Sequence, residues 1–185
     1  MAFLRLYDLM MSPDSVWVTE DGGELWASDA YVLVRLSCIP SDRSIPDGPG
    51  YWEVRATRPP RRRQAAEKAQ LRRLYEETVA DYQRDPEAWH EIRWSAFTAA
   101  SDSDKPIRIG SLRGTPVGID ATWYLRNKDQ VTILGKEPEG RWLFFRDEYW
   151  QVPIGIVMPI RLRKPVELGG PSLRHRQYQD VIKAI

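Results

Sequence analysis

Two histidines, His90 and His175, and a single thiol, Cys38, are the only imidazoles and the only thiol in the chain. With so few, a zinc-type set of cysteine and histidine ligands cannot be assembled. No glycine-rich phosphate loop follows a strand. Asp102-Ser103-Asp104 opens like a calcium loop, but the glycine and closing glutamate that should follow are missing. Pro46-Asp47 followed by Glu53-Val54-Arg55 comes nearest to a reactive site. Two carboxylates there would hold a cation that activates water, as in a metal-dependent nuclease. Arg55 stands where that chemistry wants a lysine, and a guanidinium does not readily give up a proton. His90 and Glu91 are adjacent, so on a helix they would face different sides. The expectation is a protein that is not an enzyme and uses no cofactor or metal.

Binding chemistry is better represented. Arg61-Arg62-Arg63 with Lys68, Arg72 and Arg73 concentrates six cations in a short stretch of a chain whose net charge is only +1. Such a patch would give a salt-sensitive, sequence-independent contact with nucleic acid phosphates. Glu67, Glu76 and Glu77 share the segment, which equally describes a solvated helix face.

These residues must be positioned by a chain of 185 residues, the length of one domain with a decoration. Hydrophobic residues make up 42%, with 8 Trp and 8 Tyr, ample for a packed core. One cysteine excludes a disulfide framework within the chain. The first ten residues carry Arg5 and Asp8 and no long apolar stretch, and no apolar run is long enough to span a bilayer. A cytoplasmic protein of a bacterium, or of a phage infecting one, is expected, with no membrane contact.

The pattern predicts a short helix over Ala2–Met11, ended by Ser12-Pro13-Asp14, then strands over Ser15–Glu20, Glu24–Ala27, Tyr31–Leu36 and Tyr51–Thr57. Asp21-Gly22-Gly23 predicts a hairpin turn, and residues 37–50 a loop. Residues 61–84 predict the longest helix, with Leu71, Leu74, Tyr75, Val79 and Tyr82 on one face. Asp85-Pro86 predicts the start of a second helix carrying Trp89, Ile92, Ala96 and Phe97 inward. A polar loop over Ala100–Lys105 and a short strand over Ile107–Ile109 follow. Val117–Asp120 predicts a strand, Thr122–Asn127 a short helix, and Val131–Leu134, Trp142–Arg146 and Ile154–Leu162 three strands. Leu173–Ile185 predicts an amphipathic tail helix. Both ends of the chain thus read as a short helix and three strands.

Two stretches carry a family likeness. Gly23-Glu24-Leu25-Trp26-Ala27-Ser28-Asp29-Ala30-Tyr31-Val32-Leu33-Val34-Arg35 is similar to the strand-turn-strand of the bacterial DNA polymerase III β-subunit family, the sliding clamps. Val117-Gly118-Ile119-Asp120-Ala121-Thr122-Trp123-Tyr124-Leu125 resembles the strand and helix near the end of the last clamp domain. The closing Met158-Pro159-Ile160-Arg161-Leu162 resembles the family's Met-Pro-Met-Arg-Leu. Together these cover the first 37 residues and residues 115–162.

The resemblance implies an α+β fold: one DNA-clamp-like domain of two β-α-β-β-β halves, about 1–57 and 106–163, with a helical insertion over 58–99 and a tail helix over 164–185. It implies a replication accessory protein that contacts or encircles double-stranded DNA non-specifically, as a homo-oligomer or a hexameric ring, and tethers a DNA polymerase or other clamp-binding protein. Val157, Met158, Pro159, Ile160 and Leu162 would line the partner-peptide groove. Gln179–Ile185 has the spacing of a loose clamp-binding peptide. Arg5, Arg126 and Lys128 on or beside the short helices would touch DNA phosphates, together with Arg61, Arg62, Arg63, Lys68, Arg72 and Arg73. The alternatives are a clamp-fold regulator of host replication or transcription machinery that does not enclose DNA and, more remotely, the nuclease.

Overall fold

The computed structural model describes residues 5–12, 15–39, 43–64, 70–100, 106–137, 140–146 and 151–160. In chain order these form α1 (Leu6–Leu9), β1 (Val16–Asp21), β2 (Glu24–Ser28), β3 (Val32–Arg35), β4 (Gly50–Arg55), β5 (Arg58–Gln64) and α2 (Leu71–Arg84). Then come β6 (His90–Glu91), β7 (Arg93–Ala100), β8 (Pro106–Leu112), β9 (Thr115–Asp120), α3 (Ala121–Asn127), β10 (Val131–Gly135), β11 (Trp142–Arg146) and β12 (Gly155–Val157). Short 3-10 turns occupy Leu36–Cys38 and Pro86–Ala88. The architecture is α+β with antiparallel sheets.

Local chemistry explains the tight connections. Asp21 pairs with Glu24 across a two-residue turn in which Gly22 and Gly23 have φ of 62° and 79°. Both values suit a turn whose twist matches the flanking strands, and glycine adopts them freely. Between β2 and β3 the Asp29 carboxylate accepts from the backbone N–H groups of Tyr31 (2.9 Å), Val32 (2.7 Å) and Ser12 (2.7 Å). An aspartate at this corner thus satisfies donors that no strand ladder reaches. Asp120 caps α3, its carboxylate accepting from the Trp123 N–H at 2.8 Å.

The nine-stranded sheet runs β5-β4-β1-β2-β3-β12-β11-β10-β6, and β7-β8-β9 form a second sheet. β1-β2-β3 is an up-and-down meander that follows α1, and β10-β11-β12 is one that follows α3. The two join where β3 and β12 pair antiparallel, Val32 opposite Val157, Leu33 opposite Ile156 and Val34 opposite Gly155. The approach is so close that a Cβ on Gly155 would overlap the Leu33 carbonyl oxygen.

Both short helices pack on one face of this sheet, in a core that includes Leu6, Leu9, Val16, Val34, Trp123, Ile133, Trp142 and Phe144. Burying each such large apolar side chain contributes about 1.5–3 kcal/mol. α3 also supplies the hydrogen bonds that α1 cannot make at its own C-terminus. The Trp123 indole N–H donates to the Leu9 carbonyl at 2.7 Å, and the Asn127 amide donates to the Asp8 carbonyl at 2.8 Å. The opposite face is covered by α2, over Trp26, Leu33, Trp89, Leu143, Phe145 and Ile156. Leu71, Leu74, Tyr75, Val79 and Tyr82 all pack there, as their helical spacing predicts.

Several expectations are corrected. The segment 58–99 is not a helical insertion, because it also holds β5, β6 and most of β7. Arg61, Arg62 and Arg63 lie on a strand, not on the long helix. Pro59 and Pro60 hold the residues before them extended, and an apolar stripe at helical spacing begins only at Leu71. Asp85-Pro86 starts a single 3-10 turn, after which Trp89 and Ile92 enter extended chain. There the β-favouring Ile92, Trp94 and Thr98 and the pairing of β7 with β8 outweigh the i, i+3 coincidence. The strand expected over Ile107–Ile109 extends from Pro106 to Leu112. The closing strand is shorter than Ile154–Leu162: it spans Gly155–Val157, and Ile160 then bridges to Gly118 of β9. Pro159 has no N–H to continue the ladder. α1 is one turn within the expected Ala2–Met11. No strand precedes it among the described residues, whereas β9 precedes α3. The loop over 101–105, Lys68, Leu162 and the tail helix lie outside the described residues.

Candidate nucleic-acid interface

β4 and β5 form a hairpin at one edge of the large sheet, with Arg55 opposite Arg58, Glu53 opposite Arg61 and Trp52 opposite Arg62. Residues 50–64 contain five arginines (Arg55, Arg58, Arg61, Arg62, Arg63) and one acid, Glu53. The hairpin therefore carries +4 while the whole chain carries +1. All five arginines are exposed, and Glu53 is half-buried among them. Glu53 pairs with Arg55 and Arg63. The hydrogen bond from Arg63, reinforced by the charge of Arg55, holds its carboxyl below the usual carboxylate range. Arg58, Arg61 and Arg62 have no ion pair among the described residues. A shallow cavity of about 370 Å³ lies between Glu53, Arg55, Arg58, Pro59, Arg61 and Arg63.

The strand period decides which way this group faces. Trp52 and Val54 point into the α1/α3 core, so Glu53 and Arg55 point to the other face, together with Arg61 and Arg58 opposite them, whereas Arg62, opposite Trp52, lies on the α1/α3 side. Trp17 and Tyr51 lie on the Glu53 face too, their rings 4.5 Å apart. Cations beside half-buried aromatic rings suit a nucleic acid strand. Two prolines and a run of arginines on the terminal strand also discourage another strand from adding there.

The other expected phosphate contacts are differently placed. Arg72 donates to Glu76 at 2.6 Å, packs over Gly22, and also feels Asp21 and Glu24, which raise its pKa further. Arg73 donates to Glu77 at 2.8 Å. Arg72, Arg73 and Arg84 on α2 are matched by Glu76, Glu77 and Asp81, so that helix has no net charge. Arg126 is spent on the fold: it donates to the carbonyls of Met10 (2.9 Å) and Tyr7 (3.3 Å). Lys128 lies 3.6 Å from Asp129, and Arg5 is exposed at the start of α1.

The expected groove residues diverge as well. Val157 is fully buried in the α1/α3 core, whereas Met158 packs against the α2-side core. The two cores lie on opposite faces of the sheet, so these two residues do not line one groove. The Met158 N–H donates to the Tyr31 carbonyl at 2.7 Å, and Pro159 and Ile160 are half-buried.

Arg55, read from the sequence only as the basic residue of a nuclease-like motif, and Arg58, not singled out there, both belong to the cluster. Their positions flanking the turn Ala56-Thr57 in alternating chain were the available signal. Glu53, read as a cation ligand, has its oxygens engaged by guanidinium groups instead. Among the described residues no group of three or more His, Cys, Asp or Glu side chains is placed to hold a metal ion. No helix among them is long and apolar enough to cross a membrane. Comparison with protein-family models, with curated proteins and with solved structures found no match.

Proposed function

We propose that this chain is a sliding-clamp-like accessory protein of DNA replication that contacts duplex DNA through the β4–β5 arginine hairpin and tethers a partner protein. The observation that carries the clamp-like reading is the β3–β12 seam. It joins two helix-and-meander units with both helices on one face, the arrangement the family resemblance implies. The hairpin supplies the charge for phosphate contact, which positions a protein on DNA without reading sequence. Contact is favoured over encirclement. Arg126 is used up inside the fold, and among the described residues the short helices and their ends present Arg5 and Lys128 as exposed cations. α3 also shows Leu125 at 56% exposure, which favours the second reading, a clamp-fold regulator that binds a protein and not DNA.

Fluorescence anisotropy with a labelled duplex of about 30 base pairs, titrated between about 50 and 200 mM salt, separates the two. The DNA-contact reading expects binding that falls steeply with salt and is lost on replacing Arg58 and Arg61 with glutamate. A wild type that shows no binding at the low-salt end, or a double variant that binds equally well, overturns it and leaves the regulator. Light scattering at tens of micromolar decides the ring: a clean monomer removes it.

A further inference from the structure

A second cleft, of about 890 Å³, opens away from the arginine hairpin, between the β6–β7 segment, the β8–β9 turn and α3. Its size lies within the range of about 300–1,000 Å³ that small-molecule sites occupy. His90, Arg93, Trp94, Arg113 and Tyr124 give it two cations and two aromatic rings, and Glu91 is its one carboxylate. We propose that this cleft binds a nucleotide unit, its base against Trp94 and Tyr124 and its phosphate at Arg93 and Arg113.

Four features support that placement. Arg93 and Arg113 are both exposed and have no ion pair among the described residues, so their donors are open to a phosphate. Arg113 occupies the first position of a two-residue hairpin turn with φ of 49°, before Gly114 at 92°. Glycine or asparagine would hold that left-handed position more easily. An arginine kept there, its turn braced by the Gly114 N–H donating to Ser111 Oγ at 3.0 Å, brings a cation to the cleft wall at a conformational cost.

The aromatic half is also prepared. Trp94 and Tyr124 are half-buried with ring centroids 5.1 Å apart, and the Arg108 guanidinium lies 4.9 Å from the Tyr124 centroid. Gly110 lets the indole lie across β8, since a Cβ there would come within 2.8 Å of the Trp94 ring. Rings held in this way offer a base a surface without further ordering. Finally, His90 Nε2 is buried at the cleft without a hydrogen-bond partner among the described residues. The Glu91 carboxylate is available to accept from an exocyclic amine.

A base with a phosphate is common to a free nucleotide and to a single-stranded segment, and the test separates them. Isothermal titration calorimetry of the full chain with dAMP, with an oligodeoxyadenylate about 12 nucleotides long, and with inorganic phosphate supplies three arms. Binding of dAMP assigns the site to free nucleotides; binding of the oligomer alone assigns it to single strands. Both support the cleft. Arg113→Gly relaxes the turn and so preserves folding, yet it should weaken binding about tenfold, as should Arg93→Gln. Arg61→Glu in the hairpin should leave nucleotide affinity unchanged while weakening duplex binding. The proposal is independent of the duplex reading, and either can fail alone. It is overturned if neither dAMP nor the oligomer binds at millimolar concentration. It is equally overturned if Arg113→Gly and Arg93→Gln bind as the wild type does, if Arg61→Glu abolishes nucleotide binding, or if phosphate alone binds as tightly as dAMP.

Discussion

Replacing Glu53 with glutamine removes the one carboxylate among five arginines and should increase function, an outcome that misfolding cannot imitate. In the wild type Glu53 engages Arg55 and Arg63, leaving Arg58 and Arg61 on that face for phosphate. Two neutralised phosphates give a slope of log affinity against log salt of about −1.8, and four give about −3.6. If the two proteins bind equally at about 1 M salt, where counterion release no longer contributes, the variant binds about 60-fold tighter at about 0.1 M. Anisotropy titrations of wild type and Glu53→Gln across a salt series read both the slope and the shift. Acid gives an internal control. The Glu53 carboxyl titrates below its ordinary value of 4.5 because Arg63 and then Arg55 favour the anion. Its contribution to stability is therefore present above that ordinary value and is lost as pH falls through the depressed one. The wild type should imitate the variant only well into acid. A Glu53→Gln protein with an unchanged circular dichroism spectrum but unchanged or weaker duplex affinity would refute the assignment of the hairpin.

Two further perturbations probe the scaffold. Gly155→Ala should cost about 3 kcal/mol or more in a urea titration, because the new methyl meets the Leu33 carbonyl and the Phe144 ring and must part β3 from β12; a loss under about 1 kcal/mol would mean that the seam is not closely packed. Tyr75 is buried, donates its hydroxyl to the Pro153 carbonyl at 2.6 Å, and is pushed by desolvation from 10.0 up to about 12. Between those values the folded protein keeps a proton that the unfolded chain has lost, so this stabilisation is complete below the lower value and fades as pH rises to the upper one. Tyr75→Phe should cost about 1 kcal/mol near neutrality and flatten the alkaline decline; equal slopes for both proteins in urea titrations at alkaline pH would contradict it.

The sequence by itself determined the features whose causes are local. Gly22-Gly23 closes a hairpin because only positive φ fits that turn. Leu71 to Tyr82 form one apolar face because their spacing matches a helix. Asp120 starts α3 because its carboxylate reaches the Trp123 N–H, and Asp29 holds the β2–β3 corner for the same kind of reason. What only the tertiary structure decided depends on partners far along the chain. Arg61–Arg63 became an edge strand because β4 was there to pair with it, and Ile92 and Trp94 left the helical pattern because β8 was. Trp26 and Trp142 share one sheet yet serve opposite cores, a difference of register that depends on which residue each strand finds across the ladder. Arginine shows the limit most plainly. Its charge is written in the sequence, but whether it meets solvent, as at Arg61, or closes the end of a helix, as at Arg126, is set by the acceptors that folding brings within reach.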